Sequence, residues 1–255
     1  MSNLFDLTNK TAIVTGGGSG LGKQMAIALA EAGANVIVCS RKIEMCQKTS
    51  DQIKEMGTDS LALTCDITKM EDIQNVIDKT QKQFGNIDIL INNSGTSWMA
   101  PLFDTPADKW DKVMGVNVKG TFLFSKEVGK LMTKQKSGKI INIASVAGMK
   151  GQPASFMNAW AYSTSKGAVI AMTKDLAAKL APYNVQVNAI APGLFLTKLT
   201  EGLSHVREPL LERIPSGRFG SEEDLKGTAV FLSADASNYV TGHTLVVDGG
   251  LNETL

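Results

Sequence analysis

The chain has 255 residues, 43% of them hydrophobic, and a formal net charge of +1. That length suits one large α/β domain with a sizeable core, and the balanced charge argues against a nucleic-acid or membrane-surface partner. No apolar run reaches the ~18 residues of a membrane-spanning helix. The N-terminal Met-Ser-Asn-Leu-Phe-Asp lacks the pattern of a signal peptide, and Cys39, Cys46 and Cys65 have no metal-ligand spacing, so they read as reduced thiols in a cytoplasmic protein.

A first strand is predicted over Thr11–Thr15. It runs into Thr15-Gly16-Gly17-Gly18-Ser19-Gly20-Leu21-Gly22, which opens a helix over Leu21–Ala32. Glycines between a strand and a helix allow a tight turn and close approach of the backbone to a pyrophosphate, while the helix start offers free N–H groups. The spacing is Gly-x-x-x-Gly-x-Gly rather than Gly-x-Gly-x-x-Gly, so its position in the βαβ unit carries the reading. The second strand, Asn35–Cys39, ends at Ser40-Arg41, where an NAD-binding unit would carry an acid for the adenosine ribose. The serine leaves room and the arginine offers a fork suited to a 2′-phosphate, which favours NADP(H), with NAD(H) possible. A solvated Arg41 at a helix start competes with that reading.

Helical spacing over Lys42–Met56 leads to a third strand, Ser60–Thr64, then to a helix over Met70–Phe84 and a fourth strand, Ile87–Ile91. Further strands follow at Lys139–Ala144, Val185–Ile190 and Thr244–Val247, with long helices near 106–134 and 162–181. Strands this apolar, alternating with helices, predict a parallel sheet covered on both faces. The least regular region, about 193–218, reads as a substrate lid or a loosely packed helical insertion.

Tyr162 and Lys166 stand four apart in a helical stretch, so they share one face. A nearby ammonium lowers the pKa of a phenol, so such a pair suits proton exchange with a carbonyl oxygen. The spacing alone is common on solvated helix faces.

In chain order the motifs are Thr15-Gly16-x-x-x-Gly20-x-Gly22, Asn92-Asn93-Ser94-Gly95, Asn117, Ser145, Tyr162-x-x-x-Lys166 and Pro192-Gly193. Across essentially its whole length the chain therefore resembles the short-chain dehydrogenase/reductase family, and among its members enzymes like gluconate 5-dehydrogenase and 3-oxoacyl reductases. Ser94 departs from the usual alanine. The resemblance implies a Rossmann-type, doubly wound, seven-stranded parallel sheet in a single domain over 1–255, and a homotetramer, with a dimer as the smaller alternative. It implies Tyr162 as general acid or base and Ser145 orienting the substrate oxygen. Lys166 would lower the tyrosine pKa and bind the nicotinamide ribose, and Asn117 would hold a water in a proton relay. Gly16, Ser19, Gly20, Leu21, Gly22, Ser40 and Arg41 would line the phosphate and ribose site. Asp66 and Ile67 would meet adenine. Asn92, Asn93, Gly95, Pro192, Gly193 and Thr197 would complete the nicotinamide side. For single residues plainer roles compete: Asn117 bonding helix backbone, Asp66 as a turn residue, Thr197 as a helix cap.

Seventeen positions separate Ser145 from Tyr162, more than the family gap, and the excess falls in 150–160. The substrate pocket is expected from Ser97, Trp98, Met99, Phe156, Met157 and Trp160, with Leu194, Phe195, Leu196, Leu199 and Leu203 from the lid; packing of the aromatics on one another is the alternative. His205 and Arg207 are in reach of an acidic substrate in this reading, or else solvated. The expected activity is hydride transfer between NADP(H) and a secondary alcohol or ketone: a keto-sugar acid, a polyol or a 3-oxoacyl thioester. A non-catalytic dinucleotide sensor is the alternative.

Overall fold

The structure, a computed structural model, describes residues 4–154, 157–195 and 207–253. Seven strands form one sheet in the order β3-β2-β1-β4-β5-β6-β7: β1 (Thr11–Thr15), β2 (Asn35–Ser40), β3 (Ser60–Thr64), β4 (Ile89–Asn92), β5 (Gly138–Ile143), β6 (Val185–Pro192) and β7 (Thr244–Val247). Every pairing is parallel. Three strands have the boundaries read from sequence. β4 starts two residues later than expected, after Asp88, whose carboxylate accepts the Thr11 N–H at 2.9 Å.

Alternation along the strands sorts the core onto two faces. Val14, Val38, Ile91 and Ile141 pack with Met25 and Leu29 of α1 (Gly20–Glu31), Cys46 and Ile53 of α2 (Ile43–Glu55), and Ala229 and Leu232 of a helix near the C-terminus. Ile13, Ile37, Leu90 and Ile140 pack on the other face with Ile73 and Ile77 of α3 (Met70–Phe84), and with Phe124, Val128 and Met132 of a later helix. With both faces covered, the strands have no wet side, which is why their sequences are nearly continuous apolar runs.

The helix expected near 106–134 is interrupted. α4 (Ala107–Met114) passes into a π-helical segment, Gly115–Gly120, before α5 (Thr121–Gln135). Such segments carry a side chain off the helical register and occur often at functional sites; here the displaced stretch holds Asn117. α6 runs Trp160–Leu180, α7 Arg207–Leu211 and α8 Lys226–Ser233. Strand order reverses between β1 and β4, so the loops after them diverge and leave a crevice at the carboxyl edge of the sheet.

Candidate active site

The glycine loop is held from below. Thr15, at the end of β1, is buried, and its Oγ1 accepts the backbone N–H groups of both Asn93 and Ser94 at 3.0 Å. In return Asn93 Nδ2 donates to Thr15 O at 3.0 Å and Gly16 O at 3.3 Å. The packing leaves no room for side chains: a Cβ on Gly22 would lie 2.3 Å from Asn93 Nδ2 and 2.4 Å from Gly16 O. Gly20 takes φ +53°, and a Cβ there would meet nothing within 4 Å, because it faces the open crevice. Ser19 precedes α1 in an extended conformation and makes no side-chain cap bond. The first N–H groups of α1 therefore lack a cap at the crevice.

At the end of β2, the Ser40 hydroxyl accepts the Lys42 N–H at 3.2 Å and lies 3.1 Å from Cys46 Sγ. Arg41 is exposed at the crevice edge. Asp66, after β3, accepts the Thr68 N–H at 3.0 Å and the Thr68 hydroxyl at 2.8 Å, so it is a turn residue, yet it lines the same crevice. Burial pushes its carboxyl up, but the Thr68 bonds and then Arg41 and Lys69 outweigh this and hold it below its ordinary value. Arg41 and Asp66 thus share one local field at the expected adenosine end.

Ser145 follows β5 and caps a 3₁₀ turn, Val146–Gly148, its Oγ accepting the Ala147 N–H at 3.2 Å. That turn packs closely on α6: a Cβ on Gly148 would sit 2.5 Å from Gly167 N. The contact brings Ser145 to the face of α6 that carries Tyr162 and Lys166. Lys166 is a buried ammonium whose Nζ donates to Ile143 O at 2.6 Å and lies 5.6 Å from the Tyr162 ring centroid. Burial brings it down to about 8. The phenol differs from the sequence expectation. Burial holds Tyr162 above its ordinary value, and the opposing influence comes from the Ser145 hydroxyl rather than from Lys166.

Asn117 is buried in the π-helical segment. Its Oδ1 accepts the Thr96 N–H at 2.8 Å, and its Nδ2 donates to Thr96 O and to Ser165 Oγ, each at 2.9 Å. The side chain clamps the loop after β4 to α6, and its own carbonyl accepts the Thr121 hydroxyl at 2.8 Å.

Gly16, Ser19, Gly20, Leu21, Gly22, Ser40, Arg41, Asp66, Ile67, Asn93, Gly95, Ser145, Tyr162, Lys166, Pro192 and Gly193 all line one cavity of about 710 Å³. Four expected site residues stand outside the cavity lining, Asn117 among them, its amide engaged by Thr96 and Ser165. Asn92 does not line it: its Nδ2 donates to Ser125 Oγ (2.8 Å) and Asn142 Oδ1 (2.9 Å) in the interior. Strand alternation sends Asn92 inward and leaves Asn93 at the loop. Trp98 and Trp160 also stand outside the cavity lining. Trp160 packs on Trp110 with centroids 4.6 Å apart and donates Nε1–H to Thr105, while Trp98 lies under the Lys109 ammonium. Thr197, Phe156, Leu196, Leu199, Leu203 and His205 lie outside the described residues. Thr96 and Leu251, which the sequence reading passed over, also line the cavity, as does Gln152 of the 150–160 stretch; Thr15, quoted only within the glycine motif, is the staple beneath it. No periodicity or motif marks the first three.

The cavity fits a dinucleotide: it is a crevice of ligand size, with glycines pressed so close that a Cβ would displace them, uncapped helix N–H groups, and a buried ammonium that has no carboxylate partner among the described residues. A family model described as enoyl-(acyl carrier protein) reductase matches residues 16–252. The solved structure of a short-chain type dehydrogenase/reductase from Mycobacterium marinum is 36% identical, covers 98% of each chain and superposes with a TM-score of 0.93.

The chain belongs to the short-chain dehydrogenase/reductase family. It is an oxidoreductase of that family. Two other members show the family's breadth. The NAD-dependent glycerol dehydrogenase of Listeria innocua is 40% identical over 96% of this chain and 95% of that protein. A gluconate 5-dehydrogenase from Burkholderia cenocepacia J2315, solved with NADP and tartrate, is 36% identical over 99% of each chain, with a TM-score of 0.93. Among the described residues no helix is long and apolar enough to cross a membrane.

Proposed function

We propose that this short-chain dehydrogenase/reductase interconverts a secondary alcohol and a ketone, with NADP(H) preferred over NAD(H) and Tyr162 exchanging the proton. The observation that carries the reading is the convergence of Ser145, Tyr162 and Lys166 on the cavity that the glycine loop opens. When bound, the dinucleotide supplies or accepts the hydride. The phenol of Tyr162 gives its proton to the substrate oxygen as that oxygen gains charge, and the Ser145 hydroxyl donates to the same oxygen and orients it. The phenolate left behind faces the Lys166 ammonium, 5.6 Å from the ring centroid, while the single Ser145 O–H stays on the substrate oxygen. Lys166, bonded to Ile143 O, keeps further donors that would hold the ribose hydroxyls of a bound dinucleotide. Asn117 holds the Thr96 loop in place and keeps α6 in register with it. Gly16, Ser19, Gly20, Leu21 and Gly22 would hold the pyrophosphate.

Arg41 meets a 2′-phosphate at the cavity edge, where no acid ends β2 to repel it, and the NADP-bound gluconate 5-dehydrogenase supports that preference. Of the lid expected over 193–218, residues 196–206 lie outside the described residues. We further infer a cytoplasmic homotetramer. Free thiols at Cys39, Cys46 and Cys65 support the compartment, and exposed Phe103 and Phe122 beside α4 and α5 support assembly. The test is Tyr162→Phe: turnover falls at least a hundredfold while dinucleotide affinity is kept. Full turnover by that variant sinks the mechanism, and tight dinucleotide binding with no carbonyl turned over favours a sensor instead.

A further inference from the structure

The stretch Asn93-Ser94-Gly95 bridges the two halves of the cavity. At one end Asn93 Nδ2 donates to Gly16 O at 3.3 Å, within the glycine loop. At the other, a Cβ on Gly95 would stand 3.4 Å from Asn117 Oδ1 and 3.8 Å from Lys166 Nζ. Ser94 lies between them. Its N–H donates to Thr15 Oγ1 at 3.0 Å, which fixes the backbone, and its Oγ stands 3.2 Å from where a Cβ on Gly16 would be. A dinucleotide reaching from the glycine loop to the Lys166 ammonium therefore passes Ser94, which lines the same cavity.

The Ser94 hydroxyl has no task inside the protein. The residue is half-buried, and its Oγ makes no hydrogen bond among the described residues, yet it is not one of the oxygens closed off from solvent. The polar side chains around it are already committed, Asn93 to Thr15 and Gly16, Asn117 to Thr96 and Ser165. Among the described residues that line the cavity, the one carboxylate is Asp66, after β3 and bonded to Thr68. No acid beside Ser94 therefore takes its proton or repels an anion. A hydroxyl fixed next to the uncapped N–H groups of α1 offers a donor, and ionised phosphate oxygens are acceptors only.

We propose that Ser94 is a dinucleotide-binding residue whose hydroxyl donates a hydrogen bond to a pyrophosphate oxygen. This rests on the dinucleotide reading of the cavity given above. The contact adds a side-chain donor from the β4 side to the backbone N–H groups of the glycine loop. The pyrophosphate is common to NADP(H) and NAD(H), so Ser94 sets affinity without choosing between them, whereas Arg41 chooses.

The experiment titrates the native protein and Ser94→Ala with NADPH and NADH by fluorescence, and with adenosine 2′-phosphate, which lacks the pyrophosphate, by calorimetry. Ser94→Ala lowers affinity for both dinucleotides by about tenfold or more and by similar factors. Its affinity for adenosine 2′-phosphate and the urea midpoint of the unliganded protein stay native, because the hydroxyl holds nothing within the protein. Dinucleotide affinities within about twofold of native overturn the proposal. So does a loss for NADPH alone, an equal loss for adenosine 2′-phosphate, or a lowered urea midpoint that accounts for the weaker binding. A native protein that binds neither dinucleotide defeats the reading of the cavity first, and the assignment of Ser94 falls with it.

Discussion

Replacing Thr15 by valine tests the staple beneath the glycine loop. Valine has nearly the shape of threonine, so the change removes a hydroxyl without opening a cavity. In the native protein that hydroxyl accepts the N–H groups of Asn93 and Ser94 at 3.0 Å and sends its own proton toward Ile91 O at 3.4 Å. The last contact is long and contributes little. The two N–H groups would lose their acceptor in a partly buried setting, where each unpaired donor costs about 1–3 kcal/mol. Allowing for relaxation of the loop, the loss of stability comes to about 2–4 kcal/mol, a large share of the ~5–15 kcal/mol available to a domain. Thr15→Ser is the control. It keeps the hydroxyl and loses one methyl, worth about 0.8 kcal/mol. Urea unfolding followed by circular dichroism reads both, and the slope m stays common to all three proteins because the exposed surface is the same. A second effect follows from the geometry. Once Asn93 shifts, its Nδ2 no longer braces Gly16, and dinucleotide affinity falls in Thr15→Val but not in Thr15→Ser. A valine variant within about 1 kcal/mol of native, or a serine variant equally damaged, refutes the argument that the hydroxyl is what holds the two loops together.

Three further outcomes are expected. Arg41→Ala lowers affinity for NADPH by about tenfold or more and leaves NADH affinity nearly unchanged, since only the former carries the 2′-phosphate; equal losses for both, measured by fluorescence titration, would return Arg41 to the role of a solvated helix-start residue. The pH profile for reduction follows Lys166. Its pKa is lowered to about 8 by burial, so the ammonium is present below that pH and lost above it, while Tyr162, raised by burial, stays protonated through the same range. The kcat/KM for the dinucleotide, which reports the free protein, therefore falls as pH rises through about 8, and a profile flat from about pH 7 to 9.5 contradicts this. Gly148→Ala would place a methyl 2.5 Å from the backbone of Gly167. It pushes the Ser145 turn off α6, costs about 1–3 kcal/mol in thermal or urea unfolding, and lowers kcat more than dinucleotide affinity; native kcat in a folded Gly148→Ala protein would show that the turn has slack the packing denies.

Much of the architecture was legible because the determining interactions are local or periodic. Continuous apolar runs such as Thr11–Thr15 and Ser60–Thr64 mark strands buried on both faces, and the glycine loop, the Tyr162–Lys166 spacing and Ser145 keep their order whatever surrounds them. Sidedness was legible only in part. Asn92 and Asn93 are adjacent and chemically identical. One joins Ser125 and Asn142 inside the sheet layers and the other braces Gly16, a difference set by which way the strand end points. Trp98 and Trp160 were candidates for the pocket by position alone, and their partners Lys109, Trp110 and Thr105 come from a different stretch of chain.

The sequence by itself determined the element order, the family and the set of groups that meet at the carboxyl edge of the sheet, because backbone periodicity and glycine chemistry act over a few residues. The tertiary structure decided how those groups are charged and held. Whether Tyr162 sits above or below its ordinary pKa depends on desolvation by everything packed around it, and that sum has no local signature. The same holds for Asn117, whose clamp on Thr96 exists because a π-helical turn meets the loop after β4.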